Sequence, residues 1–221
     1  PRDGVSDVQK LQMTTQRGEN VFVSAVEGNF DDAQTGVKKI FGDRDFAQKL
    51  DEKGWFLSSA NSINWGRLLP QVVYYFSAYC DYVNSGKIKM GDRIDFCVPT
   101  GNFGDILAGW YAKQMGLPVR KLICASNKNR VLTDFFETGV YDRKREFYTT
   151  ISPSMDILVS SNLERLLYML AGEEKVKLWM EQLKTTGKYD VGPNVLAKLR
   201  ADFDCGCADD DEAKAAISGL Y

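Results

Sequence analysis

The sequence predicts an α/β fold built on an open sheet, and three observations carry that prediction. Short β-branched runs alternate with amphipathic helical stretches along the chain. Residues 93–125 read as strand, glycine loop, helix and strand, in the order of a βαβ crossover and at about its ~30-residue length. A composition that is 44% hydrophobic, 12% aromatic and 26% charged is that of an ordinary globular protein. Its 221 residues suffice for one large core or two small ones.

In chain order, residues 21–26 (Val-Phe-Val-Ser-Ala-Val) read as a strand. Helices are expected over 31–41 and 45–53, and Trp55-Phe56-Leu57 as a short strand. A long helical pattern covers 67–84 and ends in the stop signal Asn84-Ser85-Gly86. Residues 93–98 form a strand of buried type, 99–104 a loop, and 105–115 a helix closed by Gly116 and Pro118. The next strand runs over 119–125. Helical patterns follow at 130–137, 163–184, 193–200 and 209–217, with a short strand starting at Phe203. A domain break is expected near 54–58, dividing the chain into 1–54 and 55–221.

Several function classes are excluded or disfavoured. A net charge of −2 lacks the basic excess of a nucleic-acid binder. No apolar run approaches the ~20 residues that span a bilayer, and no charged-then-apolar leader opens the chain. The five cysteines are odd in number and make no disulfide ladder, which predicts reduced thiols and a cytoplasmic protein. Cys205 and Cys207 have no second pair and no histidine to complete a metal site, so a strand end with two small side chains is preferred. Absence of histidine also rules out Ser-His-Asp and Cys-His nucleophile systems within these residues. The chain begins Pro1-Arg2-Asp3-Gly4 without methionine and stops at Leu220-Tyr221 directly after a helical pattern, so both ends are expected to be cuts.

Thr100-Gly101-Asn102-Phe103-Gly104-Asp105 lies between a strand and a helix N-terminus. There, orphan N–H groups and the positive end of the helix dipole converge on an anion. Glycines at 101 and 104 let the backbone approach a phosphate or adopt φ > 0, and the Thr100 hydroxyl and Asn102 amide can add donors. Without the Gly-Lys-Ser/Thr of a nucleoside-triphosphate loop, one phosphate suits it better than several. A plain tight turn would carry the same glycines. Glu27-Gly28-Asn29-Phe30-Asp31-Asp32 repeats the Gly-Asn-Phe core among acids that would repel a phosphate, and reads as a helix cap only. Ser58-Ser59-Ala60-Asn61-Ser62-Ile63-Asn64, with Trp65-Gly66-Arg67 after it, holds more polar side chains than an N-cap needs. Arg67 there opposes the dipole unless an anion is near, so a ligand-facing segment is favoured over a simple cap.

Ser59 to Asn64 with Arg67 and Gln71, followed by Pro99-Thr100-Gly101-Asn102-Phe103-Gly104-Asp105, resembles threonine synthase of the bacterial and fungal branch. The likeness continues through Ala125-Ser126-Asn127-Lys128-Asn129, Ser152-Pro153-Ser154-Met155-Asp156-Ile157 and Ser161-Asn162-Leu163-Glu164-Arg165. The opening segment with Val5, Ser6 and Gln9 is also similar.

The resemblance implies an incomplete three-layer, Rossmann-like open-sheet fold of the fold-type-II pyridoxal-phosphate enzymes. In them 1–54 would be a remnant of the small domain and 55–221 part of the large one. It implies a lyase of threonine biosynthesis that turns O-phospho-L-homoserine and water into L-threonine and phosphate, with the cofactor as electron sink. Thr100, Gly101, Asn102, Phe103 and Gly104 would hold the cofactor phosphate. Asn61, Ser62, Asn64 and Arg67 would lie at the substrate end of the cleft. The family's Phe-Lys-Asp segment, which carries the cofactor lysine, is missing, as are its Ser-Gly-Asp-Thr-Gly turn and His-Pro-Ala segment. The catalytic lysine is therefore expected outside this chain, with no catalytic residue inside it, and the chain alone is expected to be inactive. Alternatives are a threonine-synthase-like phospho-lyase and a non-catalytic phosphate-binding αβ module. A segment cut from its neighbours is also expected to recover apolar burial as a homodimer.

Overall fold

A computed structural model describes residues 7–28 and 30–220, with the backbone alone at 8, 9, 30–32, 34 and 35. The resemblance at Val5 and Ser6, the side chain of Gln9 and the acidic repeat at Asn29, Asp31 and Asp32 lie outside what is described. The chain falls into two compact units, Pro1–Ser59 and Ala60–Tyr221.

In the first unit α1 covers Asp7–Thr14, α2 Phe30–Gly42 and α3 Arg44–Asp51. Asp43 starts α3 by accepting the Phe46 N–H at 2.9 Å. Neither strand expected here forms. Residues 21–26 find no ladder partner among the described residues, and Phe22 is 87% exposed. β-propensity expresses a fit to a half-buried pleated surface, and without a neighbouring strand it has no effect. Trp55 instead closes α3. Gly54 takes φ +74°, its N–H bonds Asp51 O, and the Trp55 N–H reaches back to Leu50 O, the hydrogen-bond pair of a Schellman stop.

The second unit opens with α4 (Trp65–Leu68), a 3₁₀ turn at Leu69–Gln71 and α5 (Val72–Asn84), where one continuous helix is expected. Pro70 breaks it, since its ring removes an N–H and crowds the preceding turn. β1 (Ile94–Pro99), α6 (Gly104–Gln114) and β2 (Val119–Ser126) form the anticipated crossover, followed by α7 (Val131–Thr138) and β3 (Val140–Asp142). The pattern over 163–184 divides into α8 (Leu163–Ala171) and α9 (Glu173–Thr185) at Gly172, whose φ is +83°. Then come β4 (Lys188–Asp190), α10 (Gly192–Asp202), β5 (Phe203–Cys207) and α11 (Asp210–Ser218). Asp209 and Glu212 form a reciprocal capping box on α11.

The main sheet is parallel, in the order β1-β2-β5, with Val98 opposite Cys124 and Cys124 opposite Cys205. Side chains alternate between its faces. On one face Phe96 meets Tyr75 of α5, Leu122 lies against Gly109 of α6, and Phe203 stacks on Phe136 of α7. On the other, Cys97 and Pro99 are exposed and Ile123 and Ala125 only half-buried. A second, antiparallel pair, β3 with β4, is not legible in the sequence. Its strands are three residues each, and the parallel stack of Tyr141 on Tyr189, 5.3 Å apart, joins residues 48 positions distant.

Candidate functional site

Thr100 to Gly104 leaves the carboxyl end of β1 and enters α6, in the crevice where open α/β sheets bind ligands. The Thr100 N–H completes the β1–β2 ladder on Ala125 O at 2.8 Å, and its buried hydroxyl donates to Val98 O at 2.6 Å. Both of its donors thus hold the loop to the sheet. The next four amides, of Gly101, Asn102, Phe103 and Gly104, have no acceptor among the described residues. They sit at the N-terminus of an 11-residue helix, where a partial positive charge concentrates.

Positive φ falls on Phe103 (+62°) and not on either glycine. A bulky residue in the left-handed region costs on the order of 1–3 kcal/mol and persists only where its surroundings dictate it. Here the ring is 1% exposed and packs on Phe136 and Phe203, at centroid distances of 6.1 and 5.7 Å. Gly104, next to Phe103, is helical, and a left-handed residue beside a right-handed one is an arrangement found in anion nests.

The glycines answer to space. A Cβ on Gly101 would lie 2.6 Å from the Ser154 carbonyl oxygen, and one on Gly104 would lie 2.4 Å from Ser62 Oγ. Three segments distant in sequence therefore meet at the loop: 61–67, 152–156 and 160–165. Asn162, fully buried, ties them together. Its backbone N–H and its Nδ2 both donate to Asn102 O, at 3.1 and 2.9 Å, and Nδ2 also donates to Ser62 Oγ at 3.1 Å. Ser160 Oγ donates to Gly101 O at 2.8 Å. Arg165 donates to Asn162 Oδ1 at 2.8 Å, to Ser62 O at 3.1 Å and to Ile63 O. Of these, Asn162 and Arg165 carry no local signal in the sequence beyond family resemblance, and Ser160 carries none.

The four expected substrate-side residues divide by role. Ser62 reaches the glycine loop. Asn64 caps α4, accepting the Gly66 N–H at 2.9 Å, and Asn61 accepts the Ile63 N–H at 3.1 Å, so both shape the turn. Exposed Arg67 donates Nε to Ala60 O at 3.0 Å, and no carboxylate among the described residues pairs with it.

Behind the loop, Asp156 organises a polar cluster. Its Oδ1 accepts from Asn127, Asn129 and Thr150 at 2.7, 3.0 and 2.8 Å, and its Oδ2 from the Thr150 N–H at 3.0 Å. Ser126 ends β2 beside this cluster, buried, with its hydroxyl unpartnered among the described residues. Two surface clefts, of about 610 and 460 Å³, involve α8 and α9 and do not include the glycine loop. The described residues contain no helix long and apolar enough to cross a membrane, and no His/Cys/Asp/Glu group able to hold a metal.

No protein-family model matches the chain. Threonine synthase-like 1 of Macaca fascicularis is 51% identical over 226 residues, which cover all of this chain and 30% of that protein. Threonine synthase of Saccharomyces cerevisiae is 41% identical over 232 residues, covering all of this chain and 44% of its own length. The crystal structure of PLP-bound threonine synthase from Brucella melitensis superposes with a TM-score of 0.86 at 43% identity, over all of this chain and 46% of that one. The chain thus spans less than half the length of each of these three relatives. By sequence and by fold, these 221 residues belong with the threonine synthases and threonine synthase-like proteins, and correspond to part of such an enzyme.

Proposed function

We propose that the Gly101–Gly104 loop holds the phosphate of pyridoxal phosphate in a threonine synthase that converts O-phospho-L-homoserine and water to L-threonine and phosphate. The observation that carries this reading is the run of four amides, 101 to 104, at the start of α6 that have no acceptor among the described residues. Such a cradle fits a single phosphate. Thr100 serves as its anchor to the sheet. When bound, the cofactor supplies an electron sink for carbanion chemistry.

Within this chain the residues bind and orient. Ser62, beside Gly104, and Arg67, a cation without a carboxylate partner among the described residues, stand on the segment proposed for the substrate end, with Asn61 and Asn64 holding its turn. The lysine that moves protons is assigned to residues outside this chain, and the chain alone is assigned no turnover. Residues 1–54 are read as small-domain and 55–221 as large-domain sequence. Free thiols support a cytoplasmic setting. Exposed Phe22, Trp55 and Phe56, with the open sheet face at Cys97 and Pro99, support self-association of the isolated chain as a homodimer.

The test uses the full gene product with pyridoxal phosphate and O-phospho-L-homoserine. Threonine and phosphate in equal amounts are expected. Phosphate with a keto acid would establish the phospho-lyase alternative. No cofactor binding would leave a non-catalytic module.

A further inference from the structure

We infer that Ser160 and Asn162 are the positioning residues of the phosphate cradle, setting the direction of the Asn102 and Phe103 N–H groups. The inference rests on the cradle reading and deepens it. A trans peptide is planar, and its C=O and N–H point in opposite directions. The described residues have no cis peptide. Whatever grips a carbonyl therefore aims the amide on the far side of the same plane. Ser160 Oγ grips the Gly101 carbonyl at 2.8 Å, which turns the Asn102 N–H away from segment 160–162. Asn162 grips the Asn102 carbonyl twice, through its backbone N–H and Nδ2, which turns the Phe103 N–H the same way. Both amides so aimed are among those left without an acceptor.

Asn162 has no donor to spare. Its second Nδ2 hydrogen goes to Ser62 Oγ, and its Oδ1 accepts from Arg165. It occupies a lone pair of Ser62, whose hydroxyl hydrogen has Asn61 Oδ1, at 3.5 Å, as its acceptor among the described residues. One buried side chain thereby orients both the loop and the serine proposed for the substrate end. Ser160 is itself held, because its N–H donates to the hydroxyl of buried Tyr141 at 2.8 Å. The clamp is therefore tied to the β3–β4 pair, a rigid support for groups that must not reorganise when an anion arrives.

The experiment compares wild type, Gly104→Val, Ser160→Ala, Ser160→Thr and Asn162→Asp in the full gene product. Three quantities are read: the pyridoxal-phosphate dissociation constant, the ³¹P shift of the bound phosphate, and Tm. Ser160→Ala is expected to weaken cofactor binding ~10-fold, the effect of losing one ligand-directed hydrogen bond. The ³¹P signal should move toward that of the free cofactor, and Ser160→Thr, which keeps the hydroxyl, should restore both within ~2-fold. Asn162→Asp, which sets a carboxylate against the Asn102 carbonyl, should do more damage. If that variant fails to fold, the two Ser160 variants decide. Loss in Gly104→Val alone, with wild-type affinity and ³¹P shift in Ser160→Ala, would overturn the positioning role and leave the cradle standing. Wild-type binding in Gly104→Val would overturn both.

Discussion

Replacing Gly104 by alanine tests the convergence of segments with a single methyl group. The added Cβ would lie 2.4 Å from Ser62 Oγ and 2.6 Å from Ser62 Cβ. Comfortable contact lies near ~3.5 Å, so one partner must yield by roughly 1 Å. Ser62 has little freedom to do so. Its Oγ accepts from Asn162, and its carbonyl is held by Arg165. Overpacking a tight site of this kind costs ~1–3 kcal/mol. Chemical denaturation of Gly104→Ala should show that loss as a lower midpoint at unchanged slope. Ser62→Gly removes both clashing atoms, though alone it should cost ~1 kcal/mol through the lost hydrogen bond. The double variant should therefore be more stable than the two single effects predict, with an interaction energy of ~1 kcal/mol or more. Strict additivity, or Gly104→Ala at wild-type stability, would refute the close approach of residue 62 to the loop.

Three further outcomes are expected. Asp156→Ala removes the acceptor shared by Asn127, Asn129 and Thr150, while the two amides keep Thr150, Ser152 and Tyr148 as partners, and should cost ~1–3 kcal/mol in denaturation; a loss under ~1 kcal/mol would show that the remaining partners or water replace it. Ser126→Ala removes a buried hydroxyl that has no partner among the described residues, so stability should hold or rise by up to ~1 kcal/mol, and a clear loss would reveal a partner. The pH dependence has a definite sign. Burial pushes the Cys124 thiol from 9.0 up to about 12 and raises Tyr75, Tyr141 and Tyr189 above their ordinary 10.0. Above pH 9 the unfolded chain sheds protons that the folded chain keeps, so stability present below pH 9 is lost on the way to pH 12. A flat alkaline limb in denaturation midpoints would contradict that burial.

Much of the site could be read from the residues in order, because its chemistry is local. A glycine loop between a strand and a helix N-terminus is written in a dozen consecutive letters, and the α/β alternation follows from periods of two and 3.6. The same locality explains what failed. Residues 21–26 and 55–57 have strand composition, but a strand needs a neighbour to pair with, which no window of sequence displays. Pro70 and Gly172 were visible as letters, yet the helical pattern runs across both: buried Leu68, Val72, Tyr75 and Tyr79 keep one face past Pro70, and apolar residues continue on both sides of Gly172. The β3–β4 pair rests on two tyrosines 48 positions apart, and three-residue strands carry no period at all.

The sequence by itself determined the α/β class, the βαβ crossover and the position of the glycine loop, since each is set by side-chain periodicity and backbone stereochemistry within one short stretch. Only the tertiary structure decided why the loop has glycine where it does and how its donors are distributed. Glycine at 101 and 104 answers to Ser154 and Ser62, 53 and 42 positions away, and the strain at Phe103 to the aromatic packing beneath it. Thr100, a donor candidate on paper, spends both its hydrogens on the sheet. Asn162 draws its importance from hydrogen bonds that reach 60 and 100 residues back, and Ser160 from one that reaches 59. Close packing and saturated buried hydrogen bonds are pairwise properties of groups that folding brings together, so they exist only once the chain has folded.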